Sequence, residues 1–152
     1  EEVIAPHRDF GIQIKLAPGK CEGPEPISRR NAGVIYGLGN LIENAVDFAR
    51  SSVVIHWSWD DNKIELTLVD DGAGFPVEIM DRIGEPYMSK RPPGESGGGL
   101  GLGVFIAKTL LERSGASVTF SNAGEPGKGA RVKVSWPREA FLAFGVPTEI
   151  SY

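Results

Sequence analysis

Cysteine and histidine are scarce: the chain holds one of the first, Cys21, and two of the second, His7 and His56. A lone thiol closes no internal disulfide, and so few sulfur and imidazole ligands build no structural zinc site. The composition suits a reducing, cytoplasmic compartment. Excess positive charge is lacking too. Sixteen Lys and Arg against 20 Asp and Glu leave a formal net charge of −4 and a pI near 5.2. Such a chain has no basic field to gather nucleic acid or an anionic membrane, so neither is an expected partner. No apolar run approaches the roughly 18 residues of a membrane span, and the start EEVIAPHRDF has no basic stretch leading into an apolar one. Export and membrane insertion are not expected of this segment.

Glycine, by contrast, is abundant at 20 of 152 residues, about twice the usual share. The length suits one domain that buries its own core. Alternation of Phe10, Ile12, Ile14 and Leu16 with polar or small residues predicts a strand, broken by Pro18 and Gly19. Between Asn31 and Arg50, the three and four residue spacing of Val34, Ile35, Leu38, Leu41, Ile42, Ala45 and Ala49 predicts a long amphipathic helix. Strands are expected over 53–59 and 63–70 around the turn Asp60-Asp61-Asn62, and a brief helix over 77–83. A second helix follows over 102–113, then strands over 117–121 and 131–136, with a C-terminal tail over 138–152. The expected fold is an α/β (α+β) two-layer sandwich, a mixed and mostly antiparallel sheet against about three helices.

Three segments depart from what a core requires. Asn40, Asn44 and Asp47 make a polar stripe on the long helix, with Glu43 beside it. Asparagine is a poor helix former, and an amide oxygen in a cleft can take one vertex of an octahedral Mg²⁺. Val69-Asp70-Asp71-Gly72-Ala73-Gly74 ends a strand in two carboxylates and two spaced glycines. A tight turn would suffice to explain it; a carboxylate that accepts from an exocyclic amine such as adenine N6, with glycines admitting the ring, is the functional alternative. Gly97-Gly98-Gly99-Leu100-Gly101-Leu102-Gly103 runs into the second helix, where unsatisfied N–H groups suit a polyphosphate. Neither G-x-x-x-x-G-K-[ST] nor G-x-G-x-x-G occurs, so the common P-loop and dinucleotide motifs are excluded. The fragment His7-Arg8-Asp9-Phe10-Gly11 spells two overlapping protein-kinase motifs that belong far apart, and is read as coincidence.

In order, Asn40-Leu-Ile-Glu-Asn44-Ala, Asp70-Asp-Gly72-Ala-Gly74 and Gly97-Gly-Gly99-Leu-Gly101-Leu resemble the N, G1 and G2 boxes of two-component sensor histidine kinases. The resemblance spans residues 10–137 and extends to the wider ATPase superfamily of gyrase, heat-shock chaperones and mismatch-repair proteins. The stretch from Gly84 to Ala116 is most similar to the RegB/PrrB type of redox-responsive kinase. It implies the Bergerat fold with a left-handed βαβ unit, and a single ATP-binding catalytic domain over 1–152 whose lid spans about 84–98.

By matching positions it also implies that Asp70 meets adenine and that Asn44 holds Mg²⁺ against the phosphates. Gly72 and Gly74 let the base approach and Gly97, Gly99 and Gly101 line the triphosphate, with Ile83, Tyr87, Leu100 and Leu102 also expected in the nucleotide site. Lys90 and Arg91 reach the γ-phosphate, and Glu85-Pro86-Tyr87 stands in for the aromatic F box. Asn40, Asn44 and Lys90 form the expected catalytic set, and Gly127 and Gly129 resemble a third glycine box. Two departures stand out: Asp47 replaces a common cation, and Asn40 replaces the water-activating glutamate of hydrolysing relatives, which an amide cannot imitate.

The implied activity is transfer of the γ-phosphoryl of Mg·ATP to a histidine on a dimerisation domain outside this chain, since neither His7 nor His56 sits in a phosphoacceptor motif. The other implied partner is a response regulator. The domain alone is expected to be a monomer, and its parent a homodimer anchored in the inner membrane. A hydrolysing ATPase and a catalytically silent nucleotide-dependent docking module are the alternatives. Cys21 is expected to be a bystander, and His56, Trp57 and Trp59 to pack the sheet.

Overall fold

A computed structural model describes residues 11–27, 30–76, 80, 82–85, 102–122 and 129–142. The element order is β1 (Gln13–Cys21), α1 (Ala32–Phe48), β2 (Ser52–Trp59), β3 (Lys63–Asp70), α2 (Leu102–Arg113), β4 (Ser117–Asn122), β5 (Ala130–Pro137) and α3 (Arg138–Leu142). The strands form one sheet in the order β1-β2-β3-β5-β4. β1 runs parallel to β2 and every other pairing is antiparallel, so the sheet is mixed and mostly antiparallel, as expected.

The helix α1 starts where Asn31, in extended conformation, accepts a hydrogen bond from the Val34 N–H at 3.1 Å. Such a cap is worth about 1 kcal/mol. The stripe Val34, Leu41, Ile42, Ala45 and Val46 then faces the sheet and α2. Gly37 lets the two helices close up, because a Cβ there would stand 3.0 Å from Leu111 Cγ. Leu41, Leu68, Leu111, Val53, Val104 and Val134 are the largest fully buried side chains. Each is worth roughly 1.5–3 kcal/mol in burial.

The two faces of the sheet are chemically distinct. Ile64 and Leu68 of β3, Val53 and Ile55 of β2, and Val132, Val134 and Trp136 of β5 point under the helices. The opposite face carries Thr67, Lys133 and Glu65, whose carboxylate bridges Lys63 and Lys133 at 2.7 Å each. His56, expected to pack the sheet, is exposed on this open face opposite Thr67. With period two along β3, Asp70 falls on the apolar face in line with Ile64 and Leu68, and Asp71 falls on the other side.

One strand is displaced from its expected bounds. β1 runs on through Pro18 and Gly19 to Cys21 rather than ending at Leu16. Proline is compatible with an edge strand, which needs no donor on its outer side, and the register slips between Pro18 and Cys21. Ile14 alone in β1 is fully buried, and Leu16 is half exposed. Of the expected helix at 77–83, Met80 and Arg82 lie in a 3₁₀ turn closed by a bond from Glu85 N–H to Arg82 C=O at 3.0 Å. The rest of that segment lies outside the described residues.

Candidate functional site

Asp70 is the one buried charged or polar residue among the described residues, at 4% exposure. Its Oδ1 accepts from the N–H groups of Gly72 at 2.8 Å and Ala130 at 3.3 Å, and its own carbonyl accepts from Gly129 N–H at 2.8 Å. Oδ2 takes no hydrogen bond from the described residues, which leaves an acceptor for a donor from outside. Burial raises the pKa of Asp70, the two N–H bonds pull against that rise, and the charge of Asp71 adds to it. The group stands in a shallow cleft with Asn44, Phe48, Leu68, Gly74, Phe75 and Ala130. A carboxylate edge set among apolar walls is suited to a flat, donor-bearing heterocycle.

The loop after Asp70 is tied down on three sides. A Cβ on Gly72 would overlap the Phe48 carbonyl oxygen, so the end of α1 abuts the loop there. Asp71 turns outward and accepts from Arg50 N–H at 2.7 Å, from Ser51 and Ser52 N–H, and from the Ser51 hydroxyl at 2.5 Å. Burial works to raise its pKa, but the Ser51 hydroxyl and these N–H groups outweigh it and hold the carboxyl well below the usual range. The third tie is Asn122, at the end of β4, whose side chain reaches back to the main chain of Phe75. Gly129 completes the cradle: a Cβ there would overlap Asp70 Oδ1 and stand within 2.8 Å of the Gly72 main chain. This makes Gly129 the glycine of the weak third box that the geometry requires; Gly127 lies outside the described residues.

On α1, Asn44 lines the cleft one turn from Asn40, while Glu43 and Asp47 are exposed. Asn40 Nδ2 is buried and has no hydrogen-bond partner among the described residues. A buried donor left unpaired costs about 1–3 kcal/mol, so this position suits an arriving acceptor such as a phosphate oxygen. The first turn of α2 is beside it: an ideal Cβ on Gly103 stands 4.0 Å from Asn40 Oδ1. The N–H groups of a helix's first turn have no partner within the helix and can add further donors. Among the described residues no three His, Cys, Asp or Glu side chains gather as a metal site. A metal that keeps its waters and phosphate ligands needs only one amide oxygen from the protein, and Asn44 fits that demand.

The structure thus brings Asn44, Asp70, Gly72 and Gly74 together, with Asn40 one helical turn away. Ile83 is buried within the core and does not line the cleft, and Leu102 is half exposed at the start of α2. Tyr87, Lys90, Arg91, Gly97, Gly99, Leu100 and Gly101 lie outside the described residues. Asn122 and Asp71 act as supports that no local pattern reveals, since each bonds across at least 19 residues of sequence. A larger hollow of about 510 Å³ lies toward the opposite end of α1, walled by Val34, Leu38, Trp57, Trp59, Trp136 and Phe141. It holds all three tryptophans of the chain but no buried charged group, and is apart from the Asp70 cleft.

The profile of the histidine kinase-, DNA gyrase B- and HSP90-like ATPases matches residues 32–140. Over 154 residues the chain is 44% identical to sensor histidine kinase RegB of Cereibacter sphaeroides, covering 90% of this chain and 33% of RegB. The chain therefore spans about a third of that relative. The fold superposes on the mycobacterial sensor histidine kinase MprB with a TM-score of 0.67 at 20% identity, covering 90% of this chain and 92% of that one. It also superposes on full-length ShkA, solved in complex with AMPPNP, with a TM-score of 0.67 at 27% identity, covering 90% of this chain and 28% of that one. No described helix is long and apolar enough to cross a membrane. Since that profile covers most of the chain, the chain belongs to the histidine kinase-, DNA gyrase B- and HSP90-like ATPases.

Proposed function

We propose that this domain binds Mg·ATP in the Asp70 cleft and passes the γ-phosphoryl group to a histidine on a separate dimerisation domain, as the catalytic part of a two-component sensor kinase. The observation that carries the reading is the half-satisfied carboxylate of Asp70: Oδ1 is held by Gly72 and Ala130, so Oδ2 is fixed in place for the exocyclic amine of adenine. Gly74 borders the base along the cleft wall while Gly72 holds Asp70 from behind, and Asn40 Nδ2 donates to a phosphate oxygen. To the triphosphate the reading assigns Gly97, Gly99, Leu100, Gly101 and Leu102, with Lys90 and Arg91 for the γ-phosphate and Tyr87 for the base, whereas Ile83, buried in the core, takes no part. The Asn44 amide oxygen would hold the Mg²⁺. When bound, Mg²⁺ neutralises charge on the phosphates.

The chain's own groups then act by position. Donors set before the reaction stabilise the oxygens on which charge gathers. The bond between the γ-phosphorus and the bridging oxygen breaks, ADP leaves, and the phosphorus joins an imidazole nitrogen of the acceptor. Asn40 cannot take a proton from water, which favours transfer over hydrolysis. The identity with RegB supports a redox-responsive parent, a homodimer held at the inner membrane that hands its phosphoryl group to a response regulator.

The test is label transfer from γ-labelled ATP in the intact parent kinase. Unaltered kinase should gain acid-labile, base-stable label on histidine, and Asn44→Ala and Asp70→Asn should abolish it. Label retained in either variant contradicts the residue assignment, and phosphate release without labelled protein points to a hydrolase.

A further inference from the structure

Asn122 lies outside the cleft, at the last position of β4, yet its side chain grips the far lip of the loop that forms the cleft. Oδ1 accepts from Phe75 N–H at 2.7 Å and Nδ2 donates to Phe75 C=O at 2.9 Å. Both main-chain groups of one loop residue are thus held by one amide, across 47 residues of sequence. A planar amide that both donates and accepts is what such a pairing needs.

Two further contacts make the grip specific. Gly74 has φ +83°, and a Cβ on it would stand 2.7 Å from Asn122 Oδ1, so the loop passes hard against the amide. Phe75, buried at 5% exposure, meets Phe120 of β4 edge to face at 6.0 Å between ring centres. Phe75 and Gly74 line the cleft beside Asp70 and Asn44. Asn122 therefore fixes, from β4, the wall that faces the carboxylate. Opposite it in the sheet is Ala130, whose N–H holds Asp70 Oδ1. The end of the β4 and β5 ladder thereby sets both sides of the cleft.

We propose that Asn122 is a positioning residue for nucleobase recognition: through its two bonds to Phe75 it holds the Gly74-Phe75 wall at the distance from Asp70 that admits adenine and discriminates against other bases. The inference rests on the nucleotide reading of the cleft. Without the amide, the wall samples other positions, and ordering it falls on each binding event. The effect belongs to the base and not to the triphosphate, which lies toward α2 and Asn40.

The experiment compares the unaltered chain with Asn122→Ala and Asn122→Asp by calorimetric titration with Mg·ATP and Mg·GTP. Asn122→Asp keeps the shape of the side chain but sets a carboxylate oxygen against the Phe75 carbonyl. Both variants should lose roughly tenfold or more in ATP affinity, the scale of one to two net hydrogen bonds. The ratio of ATP to GTP affinity should fall by a similar factor. Partial unfolding lowers both affinities equally, so the ratio is blind to it. In the parent kinase, KM for ATP should rise while kcat at saturation holds. An unchanged ratio in Asn122→Ala, or full ATP affinity in Asn122→Asp, overturns the inference while leaving the nucleotide site standing. Failure of the unaltered chain to bind ATP overturns the nucleotide reading and this inference with it.

Discussion

Asp70→Asn should separate the two tasks of one carboxylate. Inside the fold, an asparagine oxygen can accept from Gly72 and Ala130 N–H as Oδ1 does at 2.8 and 3.3 Å. That satisfies the cradle, but it turns the NH₂ group into the cleft, donor against the adenine amine. The lost charge-assisted bond alone is worth about 1.5–3 kcal/mol, roughly a ten- to 150-fold loss of ATP affinity, and the opposed donors push toward the upper end. Stability should move the other way. Burial lifts the folded pKa of Asp70 above its ordinary value of 3.8, so the folded state holds the proton more tightly. Stability then falls as pH rises from the unfolded pKa through the folded one. The neutral amide escapes it. Melting followed by circular dichroism at pH 7 should show the variant as stable as the original or more so, with the difference shrinking toward pH 4. Calorimetry should show its ATP affinity collapsed. A variant that melts several degrees lower, or that binds ATP as tightly as the original, refutes this account of the carboxylate.

Other substitutions test the scaffold. Gly129→Ala drives a Cβ into Asp70 Oδ1 and should cost about 2–3 kcal/mol, lowering the melting temperature by roughly 5–10 °C together with ATP affinity. Asp71→Asn loses a charged acceptor that holds Arg50, Ser51 and Ser52, and should cost about 1–2 kcal/mol at pH 7 after allowance for its contact with solvent. Because its folded pKa is depressed, that contribution is present above the unfolded value of 3.8 and is lost as pH falls below it, so the two proteins should converge in acid unfolding curves. Leu111→Ala empties a fully buried site between the helices and should cost about 2–5 kcal/mol by denaturant titration. Lys133→Ala, on the open face with Glu65, should change stability by under about 1 kcal/mol.

The helices and inner strands were legible because their signals are local. Three and four residue spacing marked α1 and α2, and alternation in β3 carried Ile64, Leu66 and Leu68 inward and Asp70 with them. Pro18 and Gly19 break strands in general, whereas the edge strand β1 tolerates them and runs past both. His56 was misplaced for a related reason: a residue at the middle of a strand belongs to one face or the other, and this one faces away from the helices. The asparagines of α1 and the glycines around Asp70 stood out as residues a core does not need. Their supports did not, since Asp71 is one of two adjacent acids and Asn122 an unremarkable strand end. Only the register of β4 on β5 brings Asn122 beside Ala130, and only the closed loop brings Phe75 to Asn122. Such contacts are a product of topology, which spacing along the chain does not encode.

Calorimetric titration of this domain with a non-hydrolysable ATP analogue, with and without Mg²⁺, decides whether the Asp70 cleft is a nucleotide site. One binding site per chain is expected, strengthened by Mg²⁺ and lost in Asp70→Asn. A folded domain that takes up no analogue in either condition contradicts it.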